Sequence, residues 1–336
     1  MRLSLVFTHC LEKVFHRQNM PPIAVENRLS GLNNEVLSWQ AVYCLQTPGN
    51  ETRHELCYQL DGPLAEYISV RQVQSVPSGF PCYRETDENY LTTEPGLFPD
   101  PLIPLPQRRF FAACRYYGSL WLTLTPPADA QLAGDFPLTL RLLDAQSGEA
   151  LAEATLTLHL VPAALPPQTL LHTEWLHTDC LADYYRLAVF SPAYWRAVRN
   201  FVRCAVQAGV NMLLTPLFTP PLDTAVGGER TTVQLVRVTH SAHGYGFDFS
   251  RLAQWVALAQ EEGIEHFEIA PLFTQWGAAH APKIVVEAQG ETRTQFGWHT
   301  DAQGEAYRRF LQALLPALTA WFRERGLERQ VWFHVS

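Results

Sequence analysis

Lysine is almost missing from this chain of 336 residues: Lys13 and Lys283 are the only two, and arginine supplies the rest of the 25 basic side chains. Nothing in a fold requires that bias, which reads as genomic composition. Acids number 33, and a formal net charge of -8 leaves no basic footprint for nucleic acid or an anionic membrane. Long apolar runs are also missing. No segment approaches the ~20 apolar residues of a membrane span, and the run after Arg2 is too short for the core of a signal peptide. The seven cysteines (Cys10, Cys44, Cys57, Cys82, Cys114, Cys180 and Cys204) are odd in number, widely spread and without a C-x-x-C, so neither a disulfide framework nor a zinc knuckle is indicated. These absences predict a soluble protein of a reducing, cytoplasmic compartment. The chain has no H-E-x-x-H, no G-x-S-x-G and neither glycine-rich phosphate signature. Gly227–Gly228 is then a turn, and no cofactor is expected.

What is present divides in two. At 47% hydrophobic the chain can build two cores. Three prolines in Val161–Gln168 (VPAALPPQ) mark a stiff linker. The predicted domains are residues 1–163, a linker at 164–168, and 169–336. Before the linker, Ser38–Leu45, Tyr67–Val73, Ser119–Thr125, Phe136–Leu143 and Ala152–Leu160 alternate or run apolar with turns between them, as in an antiparallel β-sandwich. Residues 77–107, rich in proline, glycine, tyrosine and acids, read as a long loop.

After the linker the period becomes helical. Ser191 caps a helix with Pro192 at its first position and Gly209 at its end; a second helix covers about 252–260. Tyr307, Phe310, Leu314, Leu318 and Trp321 stripe a third that Pro316 should bend. Apolar strands at Val210–Leu217, Ile264–Phe273 and Gln330–Ser336 alternate with these helices, the order of a parallel α/β barrel with its chemistry at the strand C-termini. Leu217 to Ser250 and Phe273 to Asp301 are connections of roughly thirty residues where ~2–6 are usual, so both loops read as functional.

The densest chemistry is in Leu171–Tyr185 (LHTEWLHTDCLADYY), where histidines, acids, a tryptophan and two tyrosines end an apolar run. Read as a strand, it sets His172 and Glu174 on one face and Thr173, Trp175 and His177 on the other, with Asp179 and Asp183 in the following turn. The long loops add Thr219, Asp223, Trp276, His280, Lys283 and Trp298. Aromatic rings beside acids and donors suit a sugar, whose C–H faces stack while its hydroxyls demand polar partners. Each ring has a plainer reading as packing, and a lone histidine is more often satisfied by neighbouring backbone. A metal set of His172, His177 and Asp179 is the rival reading, weakened because His172 and His177 project to opposite faces of a regular strand.

Six segments resemble the bacterial proteins of domain of unknown function 4091, which are related to glycoside hydrolase family 123. They are HTEWLHTDCLADYY (172–185), NMLLTPLFTPPLDTAVGGERTTVQLV (211–236), GYGFDFSRLAQWV (244–256), HFEIAPLFTQWGAAHAPKIV (266–285), FGWHTDA (296–302) and VWFHVS (331–336). The resemblance covers nearly all of 168–336. It implies an N-terminal β-sandwich followed by a (β/α)8 TIM-type barrel, of which this chain holds the first half. It also implies removal of N-acetylgalactosamine by a substrate-assisted retaining route, in which the sugar's acetamide attacks the anomeric carbon. The family places an Asp-Glu pair directly after the strand matching VWFHVS, and no residue of this chain matches it. The catalytic residues are therefore left unassigned, and the chain is expected to be truncated and inactive alone, its open barrel edge free to self-associate. Glu174, Asp179, Asp223 and Glu268 are read as subsite carboxylates. With His172, His177, Thr219, Trp276, His280, Lys283 and Trp298 they make the expected contacts to an N-acetylated hexosamine glycoside. A non-catalytic carbohydrate-binding or scaffolding module is the competing reading, and a metal-dependent hydrolase the third.

Overall fold

The computed structural model describes residues 1–17, 27–79, 82–85, 87–127, 132–221, 224–274 and 277–334. It divides into two compact units, Met1–Pro167 and Gln168–Ser336.

The first unit holds β1 (Arg2–His9), β2 (Arg28–Leu32), β3 (Leu37–Gln46), β4 (Arg53–Asp61), β5 (Ile68–Ser78), β6 (Gly96–Pro104), β7 (Arg109–Ala113), β8 (Tyr117–Leu124), β9 (Gly134–Asp144) and β10 (Ala150–Val161). They form two five-stranded sheets, ordered β1-β3-β8-β5-β6 and β2-β10-β9-β4-β7. One core joins them: Trp39, Ala41 and Leu45 of β3 and Leu120, Leu122 and Leu124 of β8 meet Leu56 of β4 and the alternating leucines of β9 and β10. Each such leucine, taken wholly from water, contributes about 1.5–3 kcal/mol. The period-two pattern that predicts a sandwich is thus its inner face. Gly118 is required by close approach, because a Cβ there would lie 2.6 Å from the Tyr43 ring. Part of the expected loop at 77–107 is instead strand: β6 pairs with β5 at the margin of its sheet. Pro99, Pro101 and Pro104 hid it from a pattern reading, and an edge position tolerates them because one side of the strand needs no donors.

The second unit runs β11 (Thr173–Glu174), α1 (Thr178–Tyr185), α2 (Pro192–Gln207), β12 (Met212–Thr215), β13 (Arg237–Ser241), β14 (Gly244–Asp248), α3 (Ser250–Glu262), β15 (His266–Ile269), β16 (Ile284–Ala288), β17 (Glu291–Phe296), α4 (Glu305–Glu324) and β18 (Val331–Phe333). Four strands form a parallel sheet, β11-β12-β15-β18, with helices between successive strands. This is the sheet of a half-barrel. Ser191 caps α2 by accepting from the Tyr194 amide at 3.2 Å, with Pro192 in the first turn. Helix α1 replaces the turn expected at Asp179 and Asp183. Its eight residues are too few to display a periodic stripe, and its buried contacts hold it in place.

The two long connections are regular in part. Each folds into a hairpin, β13–β14 and β16–β17, and parallel pairing of β13 with β16 joins them into a second sheet, β14-β13-β16-β17. Buried Gln234 fastens one loop to the other: its amide nitrogen donates to the carbonyls of Val236 (2.7 Å) and Val285 (2.9 Å), and its oxygen accepts from the Val285 amide (2.9 Å). Tyr245 of β14 and Phe296 of β17 pack on Phe310 of α4 with ring centroids 5.1 and 5.0 Å apart. The apolar stripe of α4 is therefore what anchors the loops. Among the described residues no helix is long and apolar enough to cross a membrane.

Candidate functional site

Neighbouring residues of a parallel sheet share a face, so the register β12–β15–β18 lines up Leu214, Glu268 and Trp332. Thr215 and Ile269, one residue on, belong to the opposite face, where Thr215 receives the indole N–H of Trp255 from α3. Glu268 therefore points away from the helices, into the concave side of the half-barrel. It is buried, with 8% of its surface exposed. A carboxylate so placed is costly unless its oxygens are engaged. Here Oε2 accepts from the Thr173 hydroxyl (2.8 Å) and the Trp175 indole (3.1 Å), while Oε1 lies 3.0 Å from Nδ1 of His334. Hydrogen bonds to a charged group contribute about 1.5–3 kcal/mol each, enough for three to offset the burial. The rings of Trp175 and His334 meet edge to face at 5.6 Å. Trp175 remains half exposed, so the cluster joins a fixed carboxylate to an accessible aromatic ring and an imidazole.

A second polar concavity lies in the loops. Thr219, Thr224, Glu229, Lys283, Trp298 and His299 help to line a cavity of about 240 Å³. Lys283 Nζ donates to Glu229 at 2.8 Å, and this bond and charge hold the Glu229 carboxyl below the usual range. The Trp298 indole donates to the Gly228 carbonyl (2.9 Å), which fixes the glycine turn as one wall. His280 packs edge-on against Trp298 at 5.8 Å, and among the described residues its buried Nδ1 has no hydrogen-bond partner. The floor is tied to α1: Arg230 binds both carboxylate oxygens of Asp179, and Thr231 donates to Asp183 at 2.8 Å.

Residues 175–336 match the model of the family described as glycoside hydrolase 123, catalytic domain. That stretch belongs to glycoside hydrolase family 123. No curated protein sequence matches the chain. Among solved structures, a family 123 glycoside hydrolase from Clostridium perfringens, studied for glycolipid glycan hydrolysis, superposes with a TM-score of 0.72 at 10% identity. The alignment covers 98% of this chain and 58% of that one, so the chain spans less than two thirds of that enzyme's length. The N-terminal domain of PorA (TM-score 0.23, 9% identity, 48% of this chain and all of that one) is far less similar. So is the sporulation control protein Spo0M of Bacillus subtilis (0.22, 10%, 55% of each).

Within the family 123 stretch and its lead-in strand, the residues singled out by sequence scatter. Thr219, Lys283 and Trp298 come together in the loop cavity, with His280 against Trp298. Asp179 is 3% exposed and engaged by Arg230, so it shapes the cavity from behind. His172 and Glu174 face each other across 3.3 Å; Nδ1 of His172 lies 3.2 Å from the Gly209 carbonyl, at the N-terminal side of the sheet. His177 is the N-cap residue of α1, its side chain making no capping bond. The three residues weighed as metal ligands are thus divided among different surroundings. Asp223 and Trp276 lie outside the described residues. His334 is not among the residues that the sequence singles out, and Glu268 is only one of several carboxylates there. The signal for both was in the strands: one acid in HFEIA and one imidazole in VWFHV, single polar groups inside apolar runs that must face something other than core.

Proposed function

We propose that the chain recognises glycans ending in an N-acetylated hexosamine, N-acetylgalactosamine foremost, as part of a glycoside hydrolase with substrate-assisted chemistry. The observation that carries this reading is the Glu268 cluster: a carboxylate of the family 123 stretch, held by Thr173, Trp175 and His334 on the concave face of parallel strands. In this reading β11, β12, β15 and β18 are the first four strands of a (β/α)8 barrel, and 164–168 link it to the sandwich of 1–163. The topic of the C. perfringens relative suggests glycolipid head groups as the substrate class. The sugar's acetamide would attack the anomeric carbon while an Asp orients the amide and a Glu protonates the leaving oxygen. Trp175 would supply the stacking face, His334 a hydrogen bond, and the Lys283–Glu229 cavity a further subsite.

One observation favours a binding module instead: all three donors around Glu268 already occupy it, so it holds its neighbours and is poorly placed to deliver a proton. Titration calorimetry of the chain with N-acetylgalactosamine, and with galactose as the control lacking the acetamide, tests recognition. Binding that requires the acetamide is expected. Equal binding of both sugars, or of neither, removes the N-acetylhexosamine reading. Turnover of an aryl N-acetylgalactosaminide by the same protein would decide for an enzyme over a module.

A further inference from the structure

The donors around Glu268 are of unequal kinds, and that inequality dictates the protonation pattern of His334. An indole N–H can only donate, so the Glu268 oxygen facing Trp175 must accept. The Thr173 hydroxyl points its proton at the same oxygen. The other oxygen faces Nδ1 of His334 at 3.0 Å, and a carboxylate has no proton to give. Nδ1 therefore carries the hydrogen, and in the neutral ring Nε2 carries a lone pair. The His334 side chain is about one third exposed, and with Nδ1 committed to Glu268 the ring nitrogen left to meet a ligand is Nε2.

We propose that Glu268 is a positioning residue: it locks the Trp175 indole in place and holds His334 as the Nδ1–H tautomer, so that Nε2 presents an acceptor to a donor group of the bound sugar, a hydroxyl or the acetamide N–H. The ligand's identity rests on the glycan reading above; the tautomer does not. Glu268→Gln has a specific consequence. Its single carbonyl oxygen must remain opposite Trp175, because an amide NH2 there would confront a second donor. The NH2 then faces His334 Nδ1, which must become the acceptor, and the hydrogen moves to Nε2. One oxygen-to-nitrogen exchange thus reverses the polarity of the nitrogen offered to the ligand, with the shape of the side chain nearly unchanged.

Nitrogen-15 spectra of the full chain labelled at histidine read this directly at mildly alkaline pH, the His334 signal being assigned by its loss in His334→Gln. A hydrogen on Nδ1 in the parent protein and on Nε2 in Glu268→Gln is expected, with N-acetylgalactosamine binding weakened about tenfold in the variant, the loss of roughly one hydrogen bond. A parent spectrum with the hydrogen on Nε2, which needs no variant to fold, overturns the proposal. So does a folded Glu268→Gln in which the tautomer is unchanged. If both tautomers are as stated and the sugar binds neither protein, the positioning role stands and the glycan reading fails.

Discussion

Arg230 grips Asp179 at two points, Nε to Oδ2 at 2.6 Å and a terminal nitrogen to Oδ1 at 3.1 Å, across 51 residues of sequence. Both side chains are largely buried, at 12% and 4% exposure. The first long loop is fastened to the start of α1 by this pair, and the cavity holding Lys283 and Trp298 is shaped on that foundation.

Asp179→Ala removes the carboxylate that the largely buried Arg230 guanidinium binds at two points. Removing one partner of a buried pair costs about 3–5 kcal/mol. Chemical denaturation should show a loss of that order for the second unit, and amide exchange should accelerate through 224–233. Glu229→Gln, at an exposed pair, should leave the melting temperature unchanged while altering the charge inside the cavity.

Gln234→Leu tests the fastening between the two loops. The substitution leaves the Val236 and Val285 groups without the side-chain partners they now have. Each buried group so abandoned costs about 1–3 kcal/mol. Lower stability, with early exchange of the Val285 amide, is the expected result; a protected Val285 amide would assign the loop pairing to the β13–β16 ladder alone.

In the first unit, His54 lies between Glu51 (2.7 Å) and Asp144 (2.6 Å). Burial works against its charge, but the hydrogen bonds and charges of the two carboxylates outweigh it and raise the imidazole above its ordinary value. The Asp144 carboxyl is held well below its usual range by the Ser147 backbone amide first, then by His54 and the Ser147 hydroxyl. A raised histidine stabilises the fold fully below its unfolded pKa of ~6.5 and loses that contribution as pH rises through the folded value. The depressed Asp144 contributes above its unfolded pKa of ~3.9 and loses it only in stronger acid. The melting-temperature gap between the parent and His54→Gln should therefore be largest near pH ~5 and shrink toward pH ~8. A gap that widens with pH would show that the neutral ring is the stabilising form.

Trp175 carries a graded test of the site. Trp175→Phe keeps a ring but removes the donor to Glu268, whereas Trp175→Ala removes the platform. Titration with N-acetylgalactosamine should show the alanine variant weakened by ~1–3 kcal/mol and the phenylalanine variant by less, as expected if stacked area dominates. Equal affinities across the series would make Trp175 a packing residue.

Much of the architecture was present in local pattern. Alternating leucines marked the sandwich strands, Ser191–Pro192 the start of α2, and the stripe from Tyr307 to Trp321 the longest helix, because each depends on residues within a few positions of one another. The proline-bearing edge strand β6 and the short helix α1 escaped the pattern, since what holds them is pairing and burial supplied by distant segments. The long loops were recognisable by length, but their union into a sheet rests on Gln234 reaching 51 residues along the chain to Val285. The site follows the same division. Sequence alone determined that histidines, acids and tryptophans crowd the strand ends. That Thr173 meets Glu268 across 95 residues and Glu268 meets His334 across 66, while His172, three residues from Trp175, turns toward the Gly209 carbonyl instead, is set by the folded chain. A strand's alternation tells which residues share a face; which face lines the concavity is set by the register of neighbouring strands, and no local preference encodes that register.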